Sequence, residues 1–248
     1  MIFRKNESEI SKMRAAGIVV GKTLLLLEKN IKPGISTAEL NRLADEFITK
    51  QGAKPSFKGL YGFPAALCIS VNNEIIHGIP GEYILKNGDI VSIDCGAYLD
   101  GFHSDAARTF PVGEVTEEAL KLIEVTKQSF FEGVKYARVG NRLSDVSHAI
   151  QSYAEKYNFS VVRNFVGHGI GRDLLEDPEV PNFGNPGKGP ILREGMVLAI
   201  EPMINVGSFR NKTLKDGWTV VTSDGSLSAH YENTVAILSD GPEILTLI

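Results

Sequence analysis

The sequence predicts an α+β fold made of two similar halves, each with two helices followed by strands, related by pseudo-twofold symmetry. Helical and strand-like patterns occur in the same order twice along the 248 residues. Short stretches of sequence also recur at a nearly constant offset, as internal repeats do. The chain is long enough to bury one large core, and we expect residues 1–248 to form a single domain.

Two amphipathic helices are predicted in the first half. Apolar residues occur at helical spacing over residues 10–27 and again over residues 40–48. Ser36 and Glu39 form the pattern of a capping box before the second helix, and Gly52 is a stop signal after it. This half therefore begins as a pair of helices joined by a short loop.

The second half repeats this order. Two further helices are predicted at about residues 116–136 and 144–157. Strand-like runs follow each helical pair, at 67–71 and 90–110 in the first half and at 196–204 and 230–238 in the second. The alternation of helical pairs with strands predicts one layered domain rather than two unrelated ones.

The recurring stretches align the two halves residue by residue. "LKNGDIVSID", which ends at Asp94, matches "LREGMVLAIE", which ends at Glu201, so the offset is 201 − 94 = 107. Gly34 in "PGISTAEL" and Gly140 in "VGNRLSDV" give an offset of 140 − 34 = 106. Two matches at nearly one offset make chance a poor explanation, so Asp94 and Glu201 occupy equivalent positions.

Composition excludes several classes of function. A net charge of −4 gives no basic footprint, so we expect no direct nucleic-acid partner. No apolar run approaches the roughly 18 residues of a membrane span, and the first residues lack the apolar core of a signal peptide. Cys68 and Cys95 form no C-x-x-C motif, so we expect two free thiols and a cytoplasmic location.

The run 90–110 carries two aspartates, which are poor strand formers and costly to bury without compensation. If Asp100–Gly101 is a two-residue type I′ turn, Asp94 lies opposite Ala107 and shares a face of the hairpin with Asp105. Diagonal neighbours of this kind have Cβ atoms no more than about 7–8 Å apart. The two carboxylates can therefore converge on one cation.

Three more candidate ligands follow. Glu201 ends the apolar run "MVLAI", Glu232 lies within the strand-like "HYENTVAIL", and His168 lies between glycines in "VGHGIGRD". Four carboxylates and an imidazole are a hard-to-borderline ligand set. Close together, the carboxylates repel one another, whereas two divalent cations would cancel their charge. We therefore predict a dinuclear metal site.

A structural interpretation competes with this one. A single aspartate in a strand is more often an edge or bulge residue, and a histidine between glycines is more often in a turn. Five such residues in matched repeats favour a metal site. Of the other histidines, we expect His103 at the rim of the site or next to it, His148 on the surface, and His230 near the site without being a ligand.

Four stretches resemble the type I methionine aminopeptidases: "IDCGAYLDGFHSDAARTF", "FVGHGIGRDLLEDPEVPNFG", "MVLAIEPMI" and "KDGWTVVTSDGSLSAHYENT". The resemblance covers nearly the whole chain and implies the pita-bread fold, with the two halves around a central antiparallel sheet. It implies that two divalent cations (Mn, Fe, Co or Zn) are held by Asp94, Asp105, His168, Glu201 and Glu232. The family's substrate is the N-terminal methionine of new polypeptides, followed by a small second residue.

The same resemblance implies the catalytic roles. A pair of cations activates water for hydrolysis, Glu201 would take the proton, and His77 would hydrogen-bond the scissile amide or the intermediate. The methionine pocket would consist of Leu60, Phe63, Cys68, Leu174, Leu175 and Trp218, although Phe63 and Trp218 could equally be ordinary core aromatics. We expect a monomer that acts on nascent chains at the ribosome.

Two positions depart from the family pattern. Leu175 stands where the family usually has a histidine before Glu176, and Asn233 replaces the histidine of "YEHT". Prolidases and aminopeptidase P share the fold but usually carry an additional N-terminal domain, and type II methionine aminopeptidases carry a helical insertion. A non-enzymatic binding protein on this fold would lose metal ligands, and the sequence keeps all five.

Overall fold

Four helices form the two pairs that the sequence predicts. In the computed structural model, which describes residues 1–248, they are α1 (Glu7–Asn30), α2 (Thr37–Lys50), α3 (Glu117–Val134) and α4 (Leu143–Glu155), with a short 3₁₀ turn at Leu60–Gly62. The helix predictions are confirmed to within a few residues at each end. No helix is both long and apolar enough to cross a membrane.

The capping residues explain where the first two helices begin. The Asn6 side chain accepts from the Glu9 N–H at 3.0 Å, and the Glu9 carboxylate accepts from the Asn6 N–H, which completes a capping box for α1. Ser36 caps α2 by accepting from the Glu39 N–H at 3.1 Å. The Glu39 carboxylate pairs with Arg42 instead of turning back, so the predicted second half of that capping box is wrong.

Strands follow each helical pair. The first half contributes β1 (Lys54–Pro55), β2 (Leu67–Val71), β3 (Glu74–Ile76), β4 (Ile90–Leu99) and β5 (Phe102–Pro111). The second half contributes β6 (Ser160–Val161), β7 (Gly167–Gly169), β8 (Glu176–Val180), β9 (Val197–Ile200), β10 (Met203–Asn205), β11 (Asn211–Thr213), β12 (Val220–Thr222), β13 (Ser228–His230), β14 (Asn233–Leu238) and β15 (Gly241–Ile244).

All strand pairs are antiparallel, and two sheets dominate. The four-stranded sheet has the order β1-β4-β2 with β5 paired to β4, and the five-stranded sheet has the order β15-β14-β9-β7-β8. Two three-stranded sheets, β13-β10-β6 and β11-β12-β3, lie beside them. The two larger sheets belong mainly to different halves of the chain, so whatever lies between them is built by both halves.

The internal repeat is confirmed at the level of hydrogen bonds. The Gly34 N–H donates to the Leu85 carbonyl at 2.8 Å, and the Gly140 N–H donates to the Leu192 carbonyl at 3.0 Å. Both glycines have left-handed backbone angles, with φ of 95° and 94°. The offsets of these pairs are 106 and 107, as predicted from the sequence.

The helices cover one face of the sheets. Leu24 and Leu27 of α1 belong to the same buried apolar cluster as Ile93 and Cys95 of β4. Phe130 of α3 packs in a corresponding cluster with residues of β9 and β14. Because side chains alternate along a strand, the residue between Ile93 and Cys95 faces away from the helices, into the space between the two halves.

Two predicted strands are interrupted at the acids they carry. The run 196–204 breaks after β9 at Glu201–Pro202, and the run 230–238 breaks between β13 and β14 at Glu232. Proline supplies no N–H for a ladder. Glu232 instead bonds across to β5, since its N–H donates to the Ala107 carbonyl at 2.9 Å and its carbonyl accepts from the Ala107 N–H at 3.3 Å. This pair of bonds joins the two large sheets.

Candidate metal centre and adjoining cavity

The hairpin of β4 and β5 has the predicted register. Asp94 pairs with Ala107 and Gly96 pairs with Asp105, and the Asp100–Gly101 turn has φ of 50° and 89°. These positive angles at both central residues are those of a type I′ turn. Both aspartates are buried on one face, which confirms the geometric prediction from the alternation of side chains.

The second half brings the other three candidate ligands to the same place. His168 Nε2 lies 3.7 Å from Glu201 Oε1. Ligand atoms of Asp105, His168 and Glu232 all lie within 4.8 Å of one another. All five residues line one cavity of about 260 Å³. The structure therefore places both halves of the predicted ligand set around a common point.

Burial makes this cluster of acids electrostatically unfavourable on its own. Burial and neighbouring carboxylates raise the pKa of Asp94, Glu201 and Glu232 well above the usual range. Burial raises the pKa of Asp105 to about 7. Asp94 Oδ1 and Asp105 Oδ1 are buried without a hydrogen-bond partner. Such orphaned oxygens fit coordination by divalent cations, which would supply the missing partners and the compensating charge.

His168 has the protonation pattern of a metal ligand. Its Nδ1 lies 2.8 Å from the Gly169 carbonyl, which can only accept, so Nδ1 carries the proton. Burial lowers the pKa of this histidine, which favours the neutral ring. Nε2 is therefore a free lone pair directed towards Glu201, and the backbone carbonyl fixes the ring as outer-shell partners of metal-bound histidines do.

His77 lines the same cavity. It follows β3 with φ of 59°, which is uncommon for any residue other than glycine. Burial lowers the pKa of its imidazole. Its ring packs edge-on to Phe165 and Trp218, with centroids 5.8 and 6.5 Å away. A neutral imidazole, packed between two aromatic rings, thus shares the cavity with the acids.

The rest of the cavity is apolar. Phe63 and Trp218 meet edge to face with centroids 5.1 Å apart, and Cys68 lies directly opposite Asp94 in the register of β2 and β4. Burial and the nearby carboxylates raise the pKa of the Cys68 thiol well above its usual range. All six residues predicted for the pocket line this cavity: Leu60, Phe63, Cys68, Leu174, Leu175 and Trp218. An uncharged, apolar compartment therefore adjoins the candidate metal ligands.

Some lining residues had no signal in the sequence. Phe57, Tyr61 and Phe165 also line the cavity, and Tyr61 is 80% exposed at its mouth. They lie outside helices and long strands, where no periodicity tells which side chains face inward. Phe165 is three residues before His168, so its position along the chain was the only available hint.

The remaining histidines lie in different surroundings. His148 is exposed on α4, as predicted. His103 does not line the cavity, so it is not at its rim; its Nδ1 lies 2.9 Å from Ser56 Oγ, next in sequence to the lining residue Phe57. His230 is buried with Nε2 at 3.8 Å from Glu201 and 3.9 Å from Glu232, which confirms its predicted position near the acids.

The metal-free protein is expected to lose stability as pH rises from 7 to 8.5. The pKa values of Asp94, Glu201 and Glu232 are raised well above those of unfolded acids, so the folded chain holds more protons than the unfolded one. The free energy of unfolding therefore falls with pH in this window, where an unfolded histidine, with a pKa of about 6.5, is already mostly neutral and adds little. Thermal unfolding in chelator measures the slope.

The same scan with saturating Mn²⁺ serves as its control. Cations bind the deprotonated carboxylates, so the loss of stability with pH should shrink to the part that the buried thiols of Cys68 and Cys95 contribute, whose pKa values are also raised. A melting temperature of the metal-free protein that rises over this window would contradict the burial of four mutually repelling acids.

Comparison with known proteins places the chain among metallopeptidases. Residues 11–239 match metallopeptidase family M24. The chain is 70% identical to the methionine aminopeptidase of Clostridium perfringens over 248 residues, and 56% identical to methionine aminopeptidase 1 of Bacillus subtilis, with all of each chain covered.

Solved structures agree. The methionine aminopeptidase of Rickettsia prowazekii superposes with a TM-score of 0.98 at 45% identity, with 100% of both chains covered. The prolidase of Pyrococcus furiosus shares the fold, with a TM-score of 0.79 at 22% identity, over 99% of this chain and 65% of the prolidase.

Proposed function

The chain belongs to metallopeptidase family M24 and, within it, to the methionine aminopeptidases, and we propose that it removes N-terminal methionine from polypeptides whose second residue is small. Its fold is the pita-bread fold expected from the sequence. One observation carries the proposal: four buried acids and a neutral imidazole open into an apolar cavity. This arrangement supports hydrolysis beside a compartment suited to an uncharged side chain.

The proposed metal site consists of Asp94, Asp105, His168, Glu201 and Glu232. The negative charges of the four carboxylates would be balanced by two divalent cations. Mn, Fe, Co and Zn all suit this ligand set. When bound, such cations polarise a carbonyl and lower the pKa of water to near neutrality. Metal analysis of protein purified without added metal identifies the resident ion.

The proton transfers fall to residues of this chain. We assign the Glu201 carboxylate to accept the proton of the attacking water, because it lies among the candidate ligands and because burial and the neighbouring Asp105 raise its pKa well above the usual range, which makes the ionised form a stronger base. His77 donates a hydrogen bond to the scissile amide, which its neutral ring can do at physiological pH. The free α-amine of the substrate binds near Asp94, which restricts cleavage to the first residue.

The methionine side chain occupies the apolar part of the cavity. A thioether is uncharged, flexible and polarizable, and sulfur makes favourable contacts with aromatic rings. Phe63 and Trp218 supply two such rings at the same wall. The neutral Cys68 thiol completes a surface that would reject charged first residues, because burying an unpaired charge there is costly.

A peptide series tests this function. With added Mn²⁺, Met-Ala-Ser and Met-Gly peptides should be cleaved at least about tenfold faster than Met-Leu and Met-Lys peptides, since a tight pocket discriminates by one to a few kcal/mol. Ala-Pro peptides should not be cleaved. N-acetylated Met-Ala-Ser is the control for recognition of the α-amine and should also resist. Equal rates across the series would overturn the proposed specificity.

Leu175→His is expected to raise kcat/KM about tenfold. Leu175 lines the cavity and is 49% exposed, so a histidine there could reach the substrate and add one hydrogen bond worth about 1–3 kcal/mol. Metal stoichiometry should not change, because no candidate ligand is altered. Leu175→Met is the matched control and should leave kcat/KM unchanged. If the histidine variant is no faster, another group already makes the contact.

We propose action as a monomer on nascent chains in the cytoplasm. All five candidate ligands and the whole cavity lining come from one chain, so catalysis requires no second subunit. New N-termini arise at the ribosome, and the proposed substrate places the enzyme there.

A further inference from the structure

We propose that an ion pair between Lys5 and Glu176 positions the loop 171–175, one wall of the substrate cavity, and thereby sets substrate affinity. Lys5 Nζ lies 2.5 Å from Glu176 Oε2, and the two side chains are only 5% exposed each. The partners are 171 positions apart in the sequence. The inference rests on the proposed function for its kinetic part only.

The loop is folded around the Glu176 carboxylate. Glu176 Oε1 accepts from the Arg172 N–H at 2.8 Å and lies 3.4 Å from the Asp173 N, while Oε2 meets Lys5. The Gly171 N–H donates to the Asp173 carbonyl at 3.1 Å, which tightens the turn. The Glu176 carboxylate therefore accepts hydrogen bonds from the loop backbone with one oxygen and binds the Lys5 ammonium with the other.

The stem of Lys5 also fixes the loop by contact. A Cβ at Gly171 would lie 2.3 Å from Lys5 Cε, so the loop backbone passes directly over the stem. The Lys5 N–H donates to the Gly195 carbonyl at 2.6 Å, and Arg4 Nε donates to the Glu194 carbonyl. The segment that carries Lys5 is thus fixed to the turn before β9, and Lys5 fixes the loop 171–175 to this segment.

The loop connects this anchor to the substrate cavity. Leu174 belongs to the same buried cluster as Phe63 and Cys68, and Leu175 lines the cavity. The Gly171 carbonyl accepts from the His103 N–H of β5 at 2.8 Å. Lys5 and Glu176 themselves do not line the cavity, so they are positioning residues rather than catalytic ones.

Removing one partner should loosen the wall without touching the chemistry. Lys5→Met keeps the stem but removes the ammonium, which leaves the buried Glu176 carboxylate without its charge partner. Arg14→Met is the control, because Arg14 of α1 also forms an ion pair, with Glu243 of β15, but its side chain is 40% exposed and the pair lies outside the loop.

Kinetics and hydrogen exchange test the proposal together. For Lys5→Met we expect KM for Met-Ala-Ser to rise about tenfold while kcat stays within about twofold, as when a binding wall is lost. Metal stoichiometry and metal affinity by calorimetry should not change. Amide exchange over residues 171–175 should become faster in Lys5→Met and in Glu176→Gln, and stay as in the wild type in Arg14→Met.

Two results would overturn the proposal. The first is that amide exchange of the loop and KM are both unchanged in Lys5→Met. The second is that Lys5→Met and Arg14→Met show the same fall in kcat, rise in KM and weakening of metal binding. If Lys5→Met does not fold, Glu176→Gln, which keeps the loop's acceptor oxygen, decides by the same readouts. If the wild type fails to cleave Met-Ala-Ser, the proposed function is wrong. The exchange measurements then still test whether the ion pair positions the loop.

Discussion

Asp105→Asn is expected to lower kcat/KM by at least about a thousandfold, which corresponds to about 4 kcal/mol of transition-state stabilisation. Asp105 is one of three residues whose ligand atoms lie within 4.8 Å of one another, together with His168 and Glu232. Asparagine has the same shape but no charge, so it compensates a cation poorly. The variant should bind fewer equivalents of metal and lose what the metal contributes to hydrolysis.

Metal content by mass spectrometry and kcat/KM on Met-Ala-Ser measure the effect. Asp89→Asn is the matched control, because Asp89 is also buried in the first half but accepts hydrogen bonds from Asn72 and Tyr83 outside the cavity. That variant should melt at a lower temperature and keep its metal. Full activity of Asp105→Asn, or of protein stripped with chelator, would refute the metal centre.

His77→Asn is expected to lower kcat about a hundredfold while metal binding is retained. The loss corresponds to one hydrogen bond of up to about 3 kcal/mol that strengthens in the transition state. Asparagine is chosen because residue 77 has φ of 59°, an angle that asparagine tolerates better than alanine. The substitution therefore removes the ring without forcing the backbone to move.

His103→Asn serves as the comparison, since His103 lies outside the cavity lining and contacts Ser56. It should leave kcat unchanged. A kcat of His77→Asn within about twofold of the wild type would mean that His77 only packs against Phe165 and Trp218 and takes no part in the reaction.

The hairpin and the repeat could be predicted from the sequence because both obey local rules. An Asp-Gly turn fixes the register, and alternation then places Asp94 and Asp105 on one face. The constant offset relates Asp94 to Glu201 without any knowledge of the fold. Three candidate ligands, Asp94, Asp105 and Glu201, could therefore be placed together before any distance was known, and Glu232 and His168 were added as an acid in a strand-like run and a histidine between glycines.

Other features depend on contacts between distant segments and left no local trace. The break at Glu232 arises because Ala107, in the other half, supplies the hydrogen bonds that a strand neighbour would. One error has a local cause instead: Glu39 does not close its capping box because Arg42, three residues further along the same helix, offers it a charged partner. The Lys5–Glu176 pair joins residues that no pattern of spacing relates.

That both halves contribute ligands also has a consequence for biosynthesis. Asp94 leaves the ribosome 232 − 94 = 138 residues before Glu232, so the hairpin is synthesised long before its partners. Until Glu232 and β14 have been made, Asp94 and Asp105 lack the second-half residues that surround them in the folded chain. A chain whose translation stops before Glu232 would therefore lack part of the candidate metal site, however well its first half folds.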